Sequence, residues 1–232
     1  MINKVLVINS SLNGNAVITG KMSQAFINGI LAQNAEVDVV NITGMNINSC
    51  RGCTEDLCFE SSGKCQIQDD MQTILPRLVD SDIWVIATSV KDNSIHINLR
   101  NLIDRLEPLY EPAFNMLNGT SSKKAGKIVL LACSSDSGTE VFNEIINDIK
   151  SVSVLLGRDF AGAILRPHTR ALSALDYFSN FSENIYSNIT LAGEELIRNG
   201  KISRNTILNI SSELTTKNSF ISQVEKEFIP VN

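Results

Sequence analysis

Three unbroken apolar runs, each ending in a hydroxyl-rich loop, constrain this chain more than any other feature. The first is Val5-Leu6-Val7-Ile8, which stops at Asn9-Ser10-Ser11. Ile83–Ala87 (IWVIA) follows the same plan before Thr88-Ser89-Val90-Lys91-Asp92-Asn93-Ser94, and so does Lys127–Ala132 (KIVLLA) before Cys133-Ser134-Ser135-Asp136-Ser137-Gly138. A continuous run of this length reads as a strand buried on both faces, the condition of a parallel sheet covered by helices. After the first loop, Met22, Ala25, Phe26, Gly29 and Ile30 recur at helical spacing, so Lys4–Asn15 reads as strand, polar turn, helix. That layout presents backbone N–H groups to a phosphate at a helix N-terminus. It is neither a dinucleotide fingerprint nor a P-loop, because Gly14 is the loop's single glycine and no Gly-Lys-Ser/Thr follows.

Two further strands complete the sheet. Glu36–Asn41 (EVDVVN) alternates like an outer strand with one wetter face, and Phe160–Leu165 reads as the fifth strand, ended by Arg166-Pro167. Between strands, Met71, Ile74, Leu75, Leu78 and Val79 form one stripe, Leu99, Leu102, Ile103 and Leu106 a second, and Val141, Ile145, Ile149, Val152 and Leu156 a third, stopped by Gly157. Pro76 conflicts with a long uninterrupted first helix, so either Thr73 is its effective N-cap or the helix kinks there. Residues 110–126 are polar and irregular. Strands separated by helices give an α/β, doubly wound parallel sheet, and with five strands the flavodoxin-like order 2-1-3-4-5 fits. Ligands then belong at the C-terminal edge, where the three polar loops lie. Residues 1–168 form this domain, and 169–232 read as a C-terminal helical extension packed on it or on a partner subunit. Its helices carry Ile185, Ile189, Ala192 and Leu196 up to Gly200, then Ser203 as a cap for Ile207, Ile210 and Leu214, then Phe220, Val224 and Phe228.

The net charge of −5 gives no electrostatic case for nucleic acid or an anionic membrane. No apolar run reaches the length of a membrane span, and Met1-Ile2-Asn3-Lys4 enters a strand directly, so a cytoplasmic location is expected. Four of the five cysteines, Cys50, Cys53, Cys58 and Cys65, crowd one polar stretch, which in a reducing compartment points to metal or redox use. Cys133, without a paired cysteine nearby, is expected to be a buried small residue, and His96 and His168 stand in no metal-ligand spacing.

Cys50-Arg-Gly-Cys53, then Gly63-Lys-Cys65 followed by Asp69-Asp70-Met71, resembles the flavodoxin-like NAD(P)H-dependent FMN reductases and the related iron–sulfur flavoproteins. Thr88-Ser89-Val90 and the later Leu99-Arg100-Asn101-Leu102-Ile103-Asp104-Arg105 are similar to that family's flavin loop and following helix. The resemblance implies FMN at the C-terminal edge of the sheet, with Ser10, Leu12, Gly14, Asn15 and Ala16 at its phosphate. It puts Thr88, Ser89, Val90, Lys91, Asp92 and Asn93 around the isoalloxazine, and Ser134 and Ser135 in the third loop. Leu12 and Ala16 replace the family's arginine and hydroxyl residue, and Lys91-Asp92-Asn93 lacks the aromatics usual beside the flavin, so Lys91 is a candidate for electrostatic tuning. The cysteine spacing Cys-x2-Cys-x4-Cys-x6-Cys departs from the relatives', with Asp56 where a third cysteine is usual. A [4Fe–4S] cluster, a zinc ion and free thiols all remain open there.

The function these residues imply is an FMN-dependent oxidoreductase taking hydride from NAD(P)H and passing electrons to a flavin, quinone or protein acceptor. An iron–sulfur electron carrier and a degenerate, non-catalytic member of the fold are the alternatives. Assembly as a homodimer or homotetramer is expected from the same resemblance.

Overall fold

The computed structural model describes residues 3–11, 18–53, 65–109, 126–136, 138–172 and 181–212. Five parallel strands run β1 (Lys4–Asn9), β2 (Glu36–Asn41), β3 (Ile83–Val90), β4 (Lys127–Ser134) and β5 (Asp159–Arg166), in the order β2-β1-β3-β4-β5. This is the doubly wound order expected from the sequence. β1, one strand in from the edge, is registered on both neighbours, Val5 beside Val37 on one side and Ile83 on the other. The edge strand β2 is largely exposed, which accounts for its alternating composition.

Successive side chains on a strand point to opposite faces, so each apolar run supplies two cores at once. Leu6, Ile8, Trp84, Ile86, Ile128 and Leu130 face one layer, covered by α2 (Met71–Asp80), α3 (Ile97–Asp104) and α4 (Asn143–Leu155). Val5, Val7, Val85, Ala87, Val129 and Leu131 face the other, covered by α1 (Ile18–Leu31), α5 (Phe181–Asn199) and α6 (Arg204–Ser211). The stripe Ile185, Ile189, Ala192 and Leu196 lies in this second layer, with α5 running along α1. Arg166, fully buried at the end of β5, donates to the carbonyls of Ile210 at 2.5 Å and Ser212 at 2.9 Å, and so ties the last turn of α6 to the sheet. Burial pulls its pKa down to about 10, which still leaves it charged at neutral pH.

Helix α2 corrects one of the two alternatives drawn from Pro76, that Thr73 is the effective N-cap. It starts at Met71, where Asp69 Oδ1 accepts the Met71 N–H at 3.1 Å, and runs through Pro76 to Asp80. Pro76 and Gln72, whose carbonyl loses its helical partner, both sit on the exposed side, open to solvent. Gly157, with φ of +61°, ends α4 as its position implied. Residues 110–125, Leu214, Phe220, Val224 and Phe228 lie outside the described residues.

Candidate functional site

The ends of β1, β3 and β4 are adjacent at the C-terminal edge, and their registers fix how the three loops meet. Asn9 lies beside Ala87, and Val90 lies beside Ser134. Ser10 extends the pairing, its N–H donating to Ala87 O at 2.9 Å and its hydroxyl to the same oxygen at 3.2 Å. Ser10 is fully buried, so its hydroxyl hydrogen belongs to the sheet in this arrangement. Asn9 Oδ1 accepts the Ser11 N–H at 3.1 Å, and Asn9 Nδ2 donates to Asn41 Oδ1 at 2.9 Å, closing the β1 end onto β2. Leu12, Gly14, Asn15 and Ala16 lie outside the described residues. The first turn of α1 holds no acidic side chain and includes Lys21, which suits the positive end of a helix dipole to an anion.

The second loop is a tight hairpin. Lys91 and Ser94 exchange both backbone hydrogen bonds, at 3.0 and 2.8 Å, while Asp92 and Asn93 take φ of +50° and +58°. Two consecutive left-handed residues are the signature of a type I′ turn, and Asp and Asn tolerate that conformation best among residues with a side chain. Thr88 and Val90 are buried, Ser89 half-buried, and Lys91, Asp92 and Asn93 exposed. In the third loop Ser134 Oγ donates to Asp136 Oδ2 at 3.3 Å and accepts the Asp136 N–H at 3.2 Å. The carboxylate is thereby turned onto its own loop, and His168 N–H, donating to Asp136 O at 2.8 Å, fastens that loop to the end of β5. Ser135 is half-buried beside them. Cys133 is buried as expected, its sulfur 2.8 Å from Thr19 Oγ1 and its pKa pushed up by burial.

The cysteine stretch is closed at its neck by Asp69 and Asp70, which bond back to the segment before Cys50. Asn48 donates to Asp69 Oδ2 through its N–H at 2.8 Å and its Nδ2 at 3.1 Å. One step out, the Asn46 N–H donates to Asp70 Oδ2 at 2.7 Å, and the Asp70 N–H returns a bond to Asn46 O at 3.0 Å. Behind the neck, Arg105 Nη1 donates to Asp69 Oδ2 and, at 3.2 Å, to Asn48 O. Both side chains of this ion pair are buried. Burial acts to raise the Asp69 pKa, but Arg105 and the Asn48 and Met71 donors outweigh it and hold the carboxyl below its ordinary value. Burial likewise acts to lower Arg105, and Asp69 together with the Cys65 sulfur holds it above the ordinary guanidinium value.

Helix α3 carries the rest of the support. His96 caps it, Nδ1 accepting the Asn98 N–H at 3.2 Å. From one face Asn98 Nδ2 donates to Ile42 O at 2.6 Å and Met45 O at 2.8 Å, and Asn101 Nδ2 donates to Ile47 O at 2.7 Å. Ser49 Oγ then donates to Asn101 Oδ1 at 3.2 Å, directly before Cys50. Asn98, Asn101 and Arg105 therefore tie α3 to the segment that leads from the end of β2 into the cysteine stretch. Their spacing, three then four residues beside an apolar stripe, was the signal in the sequence that a second, polar face had a partner. Cys50 is exposed and Cys53 and Cys65 half-buried, with Gly52 between the first two at φ of +58°; Cys58 lies outside the described residues. Among the described residues no three His, Cys, Asp or Glu side chains converge as a metal site.

Comparison with known proteins agrees with this architecture. The chain is 29% identical over 114 residues to an iron–sulfur flavoprotein of Methanocaldococcus jannaschii, covering 49% of this chain and 54% of that protein. It is 28% identical over 107 residues to an iron–sulfur flavoprotein of Archaeoglobus fulgidus, covering 44% and 48%. The chain thus spans about half the length of these curated relatives. Among solved structures it superposes on an FMN-dependent NADH-azoreductase of Bacillus anthracis bound to FMN, with TM-score 0.58 and 14% identity over 84% of this chain and 100% of that one. An NAD(P)H:quinone oxidoreductase of Methanothermobacter marburgensis gives 0.55 at 14% identity, over 84% and 98%. At that identity the likenesses speak for the fold alone. Residues 3–150 match the family description of the NADPH-dependent FMN reductases, and this chain belongs to that family.

Proposed function

We propose that this protein is an FMN-dependent oxidoreductase that takes hydride from NAD(P)H and delivers electrons to a flavin, a quinone or a protein acceptor. The observation that carries the reading is the meeting of three loops at the ends of adjacent β1, β3 and β4, beside the N-terminus of a helix whose first turn is free of carboxylates. The donor set there suits a phosphate and a polar ring edge: backbone N–H groups and the half-buried Ser135 hydroxyl, with the Thr88 and Ser134 hydroxyls engaged within the loops and the Asp136 carboxylate directed onto Ser134. In this reading Ser10 shapes the loop that holds the phosphate, while Leu12–Ala16 and the α1 N-terminus supply its donors. Thr88 to Asn93 flank the ring, with the I′ turn holding Lys91 at a fixed place on the exposed rim. Bound there, FMN supplies the hydride-accepting and electron-donating chemistry; the protein orients it and limits water.

The cysteine stretch is proposed to hold a [4Fe–4S] cluster on Cys50, Cys53, Cys58 and Cys65, which adds a one-electron relay to the flavin. Its support is the crowding of four cysteines in one polar stretch, whose neck is closed by the buried Arg105–Asp69 pair. A cytoplasmic homodimer or homotetramer completes the proposal; among the described residues no helix is long and apolar enough to cross a membrane.

Protein purified without oxygen is expected to show flavin absorption, to retain FMN near one per chain, and to bleach on addition of NADH or NADPH and recover with a quinone. A colourless preparation that neither takes up FMN nor consumes NAD(P)H in its presence overturns the reading.

A further inference from the structure

Thr19 and Cys133 put a polar contact into a layer that is largely apolar. Thr19 lies in the first turn of α1 and is fully buried, and its Oγ1 stands 2.8 Å from the buried Cys133 Sγ. The thiol comes from the second-last residue of β4, on the face where Val5, Val85, Val129 and Leu131 pack. Ser134, next along the strand, points to the opposite face and bonds to Asp136. The end of β4 therefore holds the start of α1 with one side chain and the third loop with the next. Stability does not require a polar pair here, since replacing both partners of a buried hydrogen bond by apolar groups of the same shape can be nearly neutral. What the pair adds is direction. Apolar packing lets a helix slide or turn, whereas this contact fixes one residue of the first turn against one residue of the sheet. Further along, α1 is held by backbone, where Gly29 passes close to Thr190 O.

We propose that Thr19 is a positioning residue for the FMN phosphate, acting through Cys133 to set where the start of α1 stands relative to the third loop. The inference rests on the FMN reading above. The attraction of a helix N-terminus for an anion falls off within the first turn, so the seat of that turn decides the strength of the anchor. Thr19 turns its hydroxyl into the core onto Cys133 and acts on the ligand at one remove. Asn9 plays the matching part where the chain leaves β1: its Oδ1 accepts the Ser11 N–H at 3.1 Å while its Nδ2 is held by Asn41.

Substitutions on both sides of the contact separate this role from a direct ligand and from a purely structural latch. Thr19→Val and Cys133→Ala each remove one partner, and Thr19→Val/Cys133→Ala removes both. Thr19→Ser and Cys133→Ser keep an oxygen able to bond across the gap. Each full-length protein is stripped of flavin, its melting temperature is measured, and its dissociation constants for FMN and riboflavin are read from flavin fluorescence. The expected result is a preference for FMN over riboflavin reduced about three- to tenfold in Thr19→Val and in Cys133→Ala, the range that one net hydrogen bond supports. The double variant loses no more than either single one, and the serine variants keep the wild-type preference. Folded variants with an unchanged preference overturn the role of Thr19 and leave the FMN reading intact, even where their melting temperatures fall. A loss in Thr19→Val with none in Cys133→Ala, or losses that add in the double variant, overturns it too, because Thr19 then meets the ligand directly. Wild-type protein that binds no FMN overturns both.

Discussion

At the scale of single residues, the neck of the cysteine stretch gives the clearest pH dependence. The Asp69 carboxyl has a folded pKa below its ordinary value because Arg105 and the N–H groups of Asn48 and Met71 outweigh the effect of burial. In the unfolded chain the same carboxyl titrates near about 3.9. As acid is added, the unfolded chain takes up this proton before the folded one does, so stability falls. The contribution is complete above the unfolded value and disappears as the pH drops through the folded one. Urea unfolding at pH 7 and pH 3 is expected to show a larger loss of stability for wild type than for Asp69→Asn. That variant starts lower, by about 3–5 kcal/mol, because it leaves the Arg105 charge buried alone. An equal loss in the two proteins would place the acid-sensitive group elsewhere. None of this was legible from Asp69-Asp70, which reads as a helix start because the partners Asn48 and Arg105 are distant in sequence. Ser10 shows the opposite limit. Its place in the loop was legible, but that its hydroxyl closes on Ala87 depends on strand register, which a hydroxyl-rich string does not encode.

Among the elements, the crossing of α1 and α5 is set by two glycines. A Cβ on Gly193 would stand 2.3 Å from Phe26 O and 3.1 Å from Ile30 N, and one on Gly29 would stand 1.9 Å from Thr190 O. The blocking atoms are backbone, so they cannot swing aside. Alanine in a helix interior gains about 1 kcal/mol over glycine, whereas overpacking costs about 1–3 kcal/mol and more against a rigid wall. The overlap wins. Gly193→Ala is expected to lower stability by about 1–2 kcal/mol, or roughly 2–8 °C in melting temperature for a chain of this size. A variant that melts above wild type would mean that the helices stand further apart. The α1 stripe showed Gly29 on the buried face, but only the packed pair shows that Gly29 and Gly193 meet. Pro76 teaches the same lesson from the other side: its missing N–H argued for a start at Thr73 or a kink, and because Pro76 and Gln72 lie on the exposed face the helix is able to start earlier, at Met71.

For the whole molecule, the strand order and the meeting of three polar loops at one edge of the sheet were legible because each apolar run is long enough to be buried twice and each is followed by an abrupt polar stretch. Chain order and handedness leave few other ways to arrange such strands. The loops themselves were less legible, since the I′ turn at Lys91–Ser94 and the polar face of α3 arise from pairing, not composition. Under the function proposed here the fold divides the labour of holding the flavin, with the phosphate assigned to the loop after β1 and the ring to the loop after β3 on the neighbouring strand. That division predicts unequal binding of FMN and riboflavin, which share the ring and differ at the phosphate. A ligand present at about 100 times its dissociation constant stabilises the native state by about 2.7 kcal/mol, or roughly 5–10 °C here. FMN is expected to give a shift of that size in protein first stripped of flavin. Riboflavin at the same concentration is expected to give little, because the helix N-terminus and loop amides then face no anion. Added salt should weaken FMN binding only modestly, as hydrogen-bonded phosphate sites are screened less than exposed charge pairs. Equal shifts from the two compounds would remove the anchor from the β1 loop and leave the ring site as the sole determinant. No shift from FMN would remove the flavin from this edge altogether.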